Sequence, residues 1–303
     1  MAGLSIRLLG RFSVQRNERE ISGLEASRLQ EVLSYILINR TRPHSRETLA
    51  SLLWGESPTA QSKKYLRQTL WHLQTALQDE DQSNEDSLLS VDAEWVRVNS
   101  VSAAQLDVAL FEEAFAQVQG VPGYEISSEK AQSLKDAARL YRGDLLEGCY
   151  QDWCIYERER LQNLFLMMLD KLMAYCESRN ECEEGLGYGE RILRLDRARE
   201  HTHRRLMRLY YLAGNRTAAL RQYEKCVASL AEELNVKPAR KTTELYEQIC
   251  ADRPIHPNSS PELVNDPADD ATSRLLHIRS FLGDLQRQIH DQIQAVEKAL
   301  KDR

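Results

Sequence analysis

The helical period of apolar and polar positions is clearest between residues 57 and 78, SPTAQSKKYLRQTLWHLQTALQ. At about 100° per residue, Leu66, Leu70, Leu73 and Leu77 fall on one narrow stripe, as in a helix docked on a core. Ser57 suits an N-cap and Pro58 the first helical position. Lys64, Gln68, Trp71 and Thr75 then point away from the core, flanked by Arg67, His72 and Gln61, and this face carries no carboxylate. Upstream, residues 4–14 alternate like a strand kinked at Gly10, and residues 19–21 return after a turn, which predicts a small N-terminal sheet. Residues 26–39 carry Leu29, Val32, Leu33, Ile36 and Leu37 at helical spacing and stop before Pro43. Ser45 can cap a second helix over 46–54 that Gly55 ends, so the helix over 57–78 is the third. After an acidic loop at 79–86, residues 88–91 and 95–98 bracket the turn Asp92, Ala93, Glu94 as a hairpin. Sheet, helix, helix, long helix and hairpin is the order of a winged helix-turn-helix, here over residues 1–100.

From Gln105 the pattern is helical throughout, over 106–119, 128–146, 153–178, 182–195, 201–213, 216–234 and 241–249. Several of these pair at a roughly 34-residue period, which predicts stacked helical hairpins of the tetratricopeptide kind over 101–252. Residues 253–272 are rich in Pro, Asn, Asp and Ser, lack a period, and read as a linker. A terminal helix over 273–303 follows, with Ile278, Leu282, Leu285, Ile289, Ile293, Val296 and Leu300 as a coiled-coil-like seam. A lone helix would leave that seam wet, so self-association is the first expectation, with packing on the repeats or on another protein as alternatives. The expected fold is mainly α: winged helix with small sheet and wing, helical repeats, then the amphipathic helix.

The 303-residue chain has 40 Lys and Arg against 46 Asp and Glu, a formal net charge of −6, so any nucleic-acid affinity must come from a local patch. The third helix supplies one. Lys63, Lys64, Arg67, Gln68, Trp71 and His72 are the expected DNA contacts there, with Arg97 on the wing. Lys63 lies nearer the core stripe and should reach phosphate, while Lys64, Gln68 and Trp71 are better aimed at bases. Ser45 and Arg46, after His44, open the second helix, where amides and a cation could hold a phosphate. An ordinary solvated face is the alternative, and Trp71 on such a face wants a partner of some kind.

The six cysteines show no C-x-x-C spacing and read as reduced thiols rather than metal ligands. No phosphate-binding G-x-x-x-x-G-K-[ST] motif, H-E-x-x-H or nucleophile elbow occurs, so no catalytic residue, metal or cofactor is expected. Gly185, Gly187 and Gly189 lie in a helical pattern with no strand before them, and read as close-packing positions. His201 and His203, two apart on a helix, are not a chelate. There is no secretory leader and no apolar run near the ~18 residues that span a bilayer, so the expectation is a cytoplasmic protein without a membrane partner.

Certain segments resemble a known family. HRRLMRLYYLAGNR from His203, AALRQY from Ala218 and LAEELNVKP from Leu230 are similar to the bacterial transcriptional activation domain, as are LYRGDLLEG from Leu140, Trp153 and ERERL from Glu157. LASLLWG from Leu49 and the run from Leu66 to Leu77 resemble an OmpR-like winged helix. Together they resemble the Streptomyces antibiotic regulatory protein type, whose pattern is richer in arginine where this chain has Trp71, Gln74 and Thr75. The resemblance implies a transcription factor, usually an activator, whose dimers bind repeats in double-stranded promoter DNA and touch RNA polymerase. It also implies basic residues at Arg67 and His72. The rival reading is a protein-interaction scaffold or effector sensor whose winged helix does not bind DNA. A small molecule or peptide in the repeat groove fits either reading.

Overall fold

A computed structural model describes residues 4–78, 87–99 and 104–253. The alternation expected as one kinked strand over 4–14 resolves into two strands, β1 (Leu4–Arg7) and β2 (Ser13–Arg16), while the return expected over 19–21 is β3 (Arg19–Glu20). Leu8 and Leu9 are both buried, which breaks the alternation, and Gly10 at φ 98° turns the chain back so that β2 pairs antiparallel with β1. Next come α1 (Ser27–Ile38), β4 (His44–Ser45), α2 (Arg46–Trp54) and α3 (Thr59–Leu77), then the hairpin β5 (Leu89–Val91) and β6 (Trp95–Val98). β4 pairs with β6 and β6 with β5, so the wing is a three-stranded sheet that includes the chain just ahead of α2.

Neither serine expected as a cap acts as one. Ser45 makes no side-chain cap bond because its backbone is a strand pairing Trp95. α3 starts at Thr59 behind Pro58, and its first turn is held by the buried Ser62 hydroxyl, which donates to Trp54 O at 2.9 Å and lies 3.2 Å from Ser57 O. Leu66, Leu70, Leu73 and Leu77 are buried as the stripe predicts, in a core shared with Leu29, Val32, Leu33, Ile36 and Leu37 of α1. At the far end of α3 the Arg16 guanidinium donates to Leu77 O at 2.6 Å and Gln78 O at 3.1 Å, satisfying carbonyls that a helix leaves open.

The helical pattern read from Gln105 is interrupted at its start: Ala104–Leu106 is a strand, β7, parallel to β1, and it completes a sheet ordered β3-β2-β1-β7. Asp107 opens α4 (Asp107–Ala116), and its carboxylate accepts from the backbone N–H groups of Leu8, Leu9 and Val108 at 2.7 to 2.9 Å. After a 3₁₀ turn at Gly123–Glu125 come α5 (Ser128–Leu140), α6 (Asp152–Ser178), α7 (Cys182–Leu195), α8 (Glu200–Leu212), α9 (Arg216–Leu234) and α10 (Arg240–Cys250).

The helix expected over 128–146 ends at Leu140. The chain then folds against the N-terminal turn, with Leu9 bridging Leu145 and Gly10 N–H donating to Asp144 O at 3.3 Å. A Cβ on Gly143 would lie 3.1 Å from Gly10 Cα, so the two backbones meet because both residues are glycine. Arg158 closes this loop by donating to Leu145 O at 3.0 Å, Leu146 O at 2.8 Å and Cys149 O at 3.1 Å. The family-like segments at Leu140 and Glu157 are therefore one structural joint. Trp153 meets Tyr35 of α1 edge to face at 5.2 Å, so winged helix and repeats share a continuous core. The described residues to Ala251 form one compact unit. Apart from Arg253, the expected linker and terminal helix, with the seam from Ile278 to Leu300, lie outside the described residues.

Candidate nucleic-acid interface

α3 presents Lys63, Lys64, Arg67, Gln68, Trp71 and His72 together on one exposed surface. Trp71 stands 61 % exposed, the third most exposed of the large hydrophobic side chains among the described residues, after Tyr150 and Tyr156. His72 packs edge-on against it, ring centroids 4.9 Å apart. Lys64, Arg67 and Gln68 have no hydrogen-bond or ion-pair partner among the described residues. Lys63 differs: its ammonium lies 2.7 Å from Glu47 Oε1 on α2, in an exposed ion pair. That lysine also holds the Glu47 carboxyl below its ordinary pKa, through the hydrogen bond first and its charge second. The Thr75 hydroxyl donates back to Trp71 O at 2.9 Å.

The wing is pinned to α2. Asp92 Oδ1 accepts from the N–H groups of Glu94 at 2.9 Å and Trp95 at 2.6 Å, which sets the turn and lowers the Asp92 pKa. The Arg46 N–H donates to Glu94 O at 2.9 Å, and its guanidinium to Asp92 O at 2.9 Å. Ser45 and Arg46 are thus tied to the hairpin through their backbones and one Arg46 guanidinium N–H. Arg97 is exposed on β6 without a hydrogen bond or ion pair among the described residues, and its charge reaches Asp92 only at longer range. The Arg16 tie on α3 was not foreseen, because it joins residues 61 apart that share no local pattern.

The repeats hold the molecule's buried charge. Arg205 donates to Asp170 Oδ1 at 2.8 Å and to Glu177 Oε1 and Oε2 at 3.0 and 2.9 Å, locking α8 to α6. Burial alone would raise the Asp170 pKa; the Arg205 charge, with those of His201 and Arg199, holds it below the ordinary value. His203 Nε2 faces Arg197 O at 2.9 Å and must carry the proton, so Nδ1 accepts from Gln222 Nε2 at 2.7 Å. Burial lowers its pKa. Arg204 donates to Thr242 Oγ1 at 3.1 Å, linking α8 to α10. A Cβ on Gly189 would sit 2.5 Å from Leu206 Cδ2, and one on Gly185 3.1 Å from Leu209 Cδ1, whereas Gly187 faces open space. Two of these three glycines are close-packing positions, and the third is not.

Cys176, Glu181 and Glu184 converge near the α6–α7 turn. The Lys135 ammonium already sits 2.6 Å from Glu184 and 3.9 Å from Glu181, and burial pushes the Cys176 thiol up to about 12. The carboxylates thus serve a lysine, and the thiol stays protonated.

A three-helix unit with a hairpin wing, joined through a shared core to helical repeats and carrying an open cationic helix face, defines the class of winged-helix regulators with a repeat domain. Residues 106–250 match the family described as the bacterial transcriptional activator domain. The transcriptional regulatory protein MoaR1 of Mycobacterium bovis (strain BCG / Pasteur 1173P2) and that of Mycobacterium tuberculosis (strain H37Rv) are each 24 % identical over 225 residues, spanning 74 % of this chain and 72 % of theirs. Among solved structures, Mycobacterium tuberculosis EmbR in complex with a low affinity phosphopeptide superposes with a TM-score of 0.63 at 19 % identity, covering 91 % of this chain and 72 % of that one. Residues 106–250 are thus a bacterial transcriptional activator domain, and the chain is similar to transcription regulators of the Streptomyces antibiotic regulatory protein type. No helix of the described residues is long and apolar enough to cross a membrane.

Proposed function

We propose that this regulator binds promoter DNA sequence-specifically, with α3 in the major groove and the β5–β6 hairpin bracing the backbone. One observation carries the reading: on a chain of net charge −6, the outer face of α3 is open, free of carboxylate, and holds Lys64 and Arg67 without a partner among the described residues. Cations that find no anion within the fold suit an external polyanion. The family supports the rest of the proposal: the protein acts in the cytoplasm as an activator, binds as a dimer, and contacts RNA polymerase. Two heads on one DNA face would read half-sites one helical turn apart, ~10 to 11 base pairs.

The test is retardation of the DNA upstream of its own gene by purified protein in excess nonspecific competitor, followed by affinity against salt. Lys64→Ala and Arg67→Ala should each flatten the slope of log K against log salt by about 0.9, the signature of one cation lost from the DNA interface. Slopes identical to wild type in both variants would turn the assignment towards a scaffold whose winged helix does not bind DNA.

A further inference from the structure

The chemistry of the outward stripe on α3 narrows what it would read. Resting on the DNA-binding reading, we infer that the half-site contains an adenine read by Gln68 beside a thymine whose 5-methyl group packs on Trp71. The stripe holds Lys64, Gln68, Trp71 and Thr75; Lys64, at its N-terminal end, is its one cation able to reach guanine, and the two residues after it bring an amide and an indole. Arg67 lies on its flank, nearer the groove wall, where phosphates run.

Gln68 is exposed and without a partner among the described residues, so its amide is free to give and take one hydrogen bond each, as adenine N7 and N6 require. Thr75 brings no free donor, because its hydroxyl proton goes to Trp71 O. Trp71 offers 61 % of its surface to solvent and can donate one N–H but accept nothing. Of the four bases, only thymine shows an apolar group in the major groove. His72, edge-on at 4.9 Å, braces the indole against rotation. Three residues of helix advance ~4.5 Å, so Gln68 and Trp71 address neighbouring base pairs.

The experiment begins with selection of the full-length protein's preferred duplex from a random-sequence library. Each thymine is then replaced singly by deoxyuridine, which removes only the methyl, and Kd is measured at fixed salt for wild type, Trp71→Ala and Gln68→Ala. One thymine-to-uracil change should weaken wild type about fourfold and leave Trp71→Ala indifferent. Gln68→Ala should lose about tenfold in preference for adenine at the adjacent pair. Neither variant should alter the salt slope. Equal binding of thymine and uracil duplexes by wild type, or continued discrimination by Trp71→Ala, overturns the inference alone. Selection that returns no preferred duplex overturns the DNA-reading role of α3 and this inference with it.

Discussion

α3 and α8 carry much the same polar chemistry and spend it in opposite ways. α8 has His203, Arg204 and Arg205 in sequence, all buried, each with a partner on another element: Gln222, Thr242, and Asp170 with Glu177. α3 has Lys64, Arg67, Gln68 and His72 on a surface where no acidic side chain meets Lys64 or Arg67 among the described residues. A guanidinium inside a protein needs a counter-charge, as Arg205 has in Asp170 and Glu177 and Arg204 in Glu200 at 3.7 Å, whereas one outside needs none. Residue type alone therefore assigns neither role. The location of the nearest counter-charge does, and it separates positions that hold the activator domain together from positions free to meet another molecule.

The comparison is most easily broken at Arg205. Arg205→Ala strands a buried carboxylate at Asp170, and chemical denaturation should show a loss of about 3–5 kcal/mol. A loss under 1 kcal/mol, or about that, would mean the buried pair does not differ from a surface one. Gly189→Ala should cost about 1–3 kcal/mol by driving a methyl into Leu206, while Gly187→Ala, facing open space, should cost nothing or stabilise. Denaturation at the two alanine variants side by side checks both signs.

His203 gives a pH dependence of defined sign. Its folded pKa lies below the ordinary 6.5, so below about that pH the unfolded chain takes up a proton that the folded chain refuses. Stability should therefore fall as pH drops from 6.5 towards the folded value, and His203→Gln should flatten that part of the curve in urea melts. Wild type and variant with parallel curves would remove His203 from the account. The smallest effects on stability belong to α3: Lys64→Ala and Arg67→Ala should leave the melting curve within about 0.5 kcal/mol of wild type, even where, on the DNA-binding proposal, they weaken DNA affinity. A larger loss would make that face a structural one.

What could be read from the sequence followed its range. The leucine stripe of α3 and helices α2, α7 and α9 emerge from local period and punctuation alone, with bounds that match at 46–54, 182–195 and 216–234. β7 did not, because three residues carry no period and its partner β1 lies near the other end of the chain's first hundred residues. The end of α5 at Leu140 was hidden for a similar reason: Tyr141 to Leu146 keep an apolar rhythm, and the distant ties of Gly10 to Gly143, Leu9 to Leu145 and Arg158 to the loop carbonyls decide against helix. At the interface, the composition of the α3 face was legible, while the ties of Arg46 to the hairpin turn and of Lys63 to Glu47 depend on tertiary neighbours. Family-like wording pointed most strongly at residues 203–216, and the geometry explains it by packing rather than by contact with DNA.

The strand at Ala104–Leu106 and the Asp107 carboxylate behind it leave the reading head without a suspension of its own. Cutting the chain at residue 100 would strip a strand from the sheet beneath Arg16 and uncover the edge of β1, so the head is not a detachable module. On the DNA-binding proposal, a signal taken up by the activator domain would reach the promoter through this shared sheet, as a change in the aim of α3.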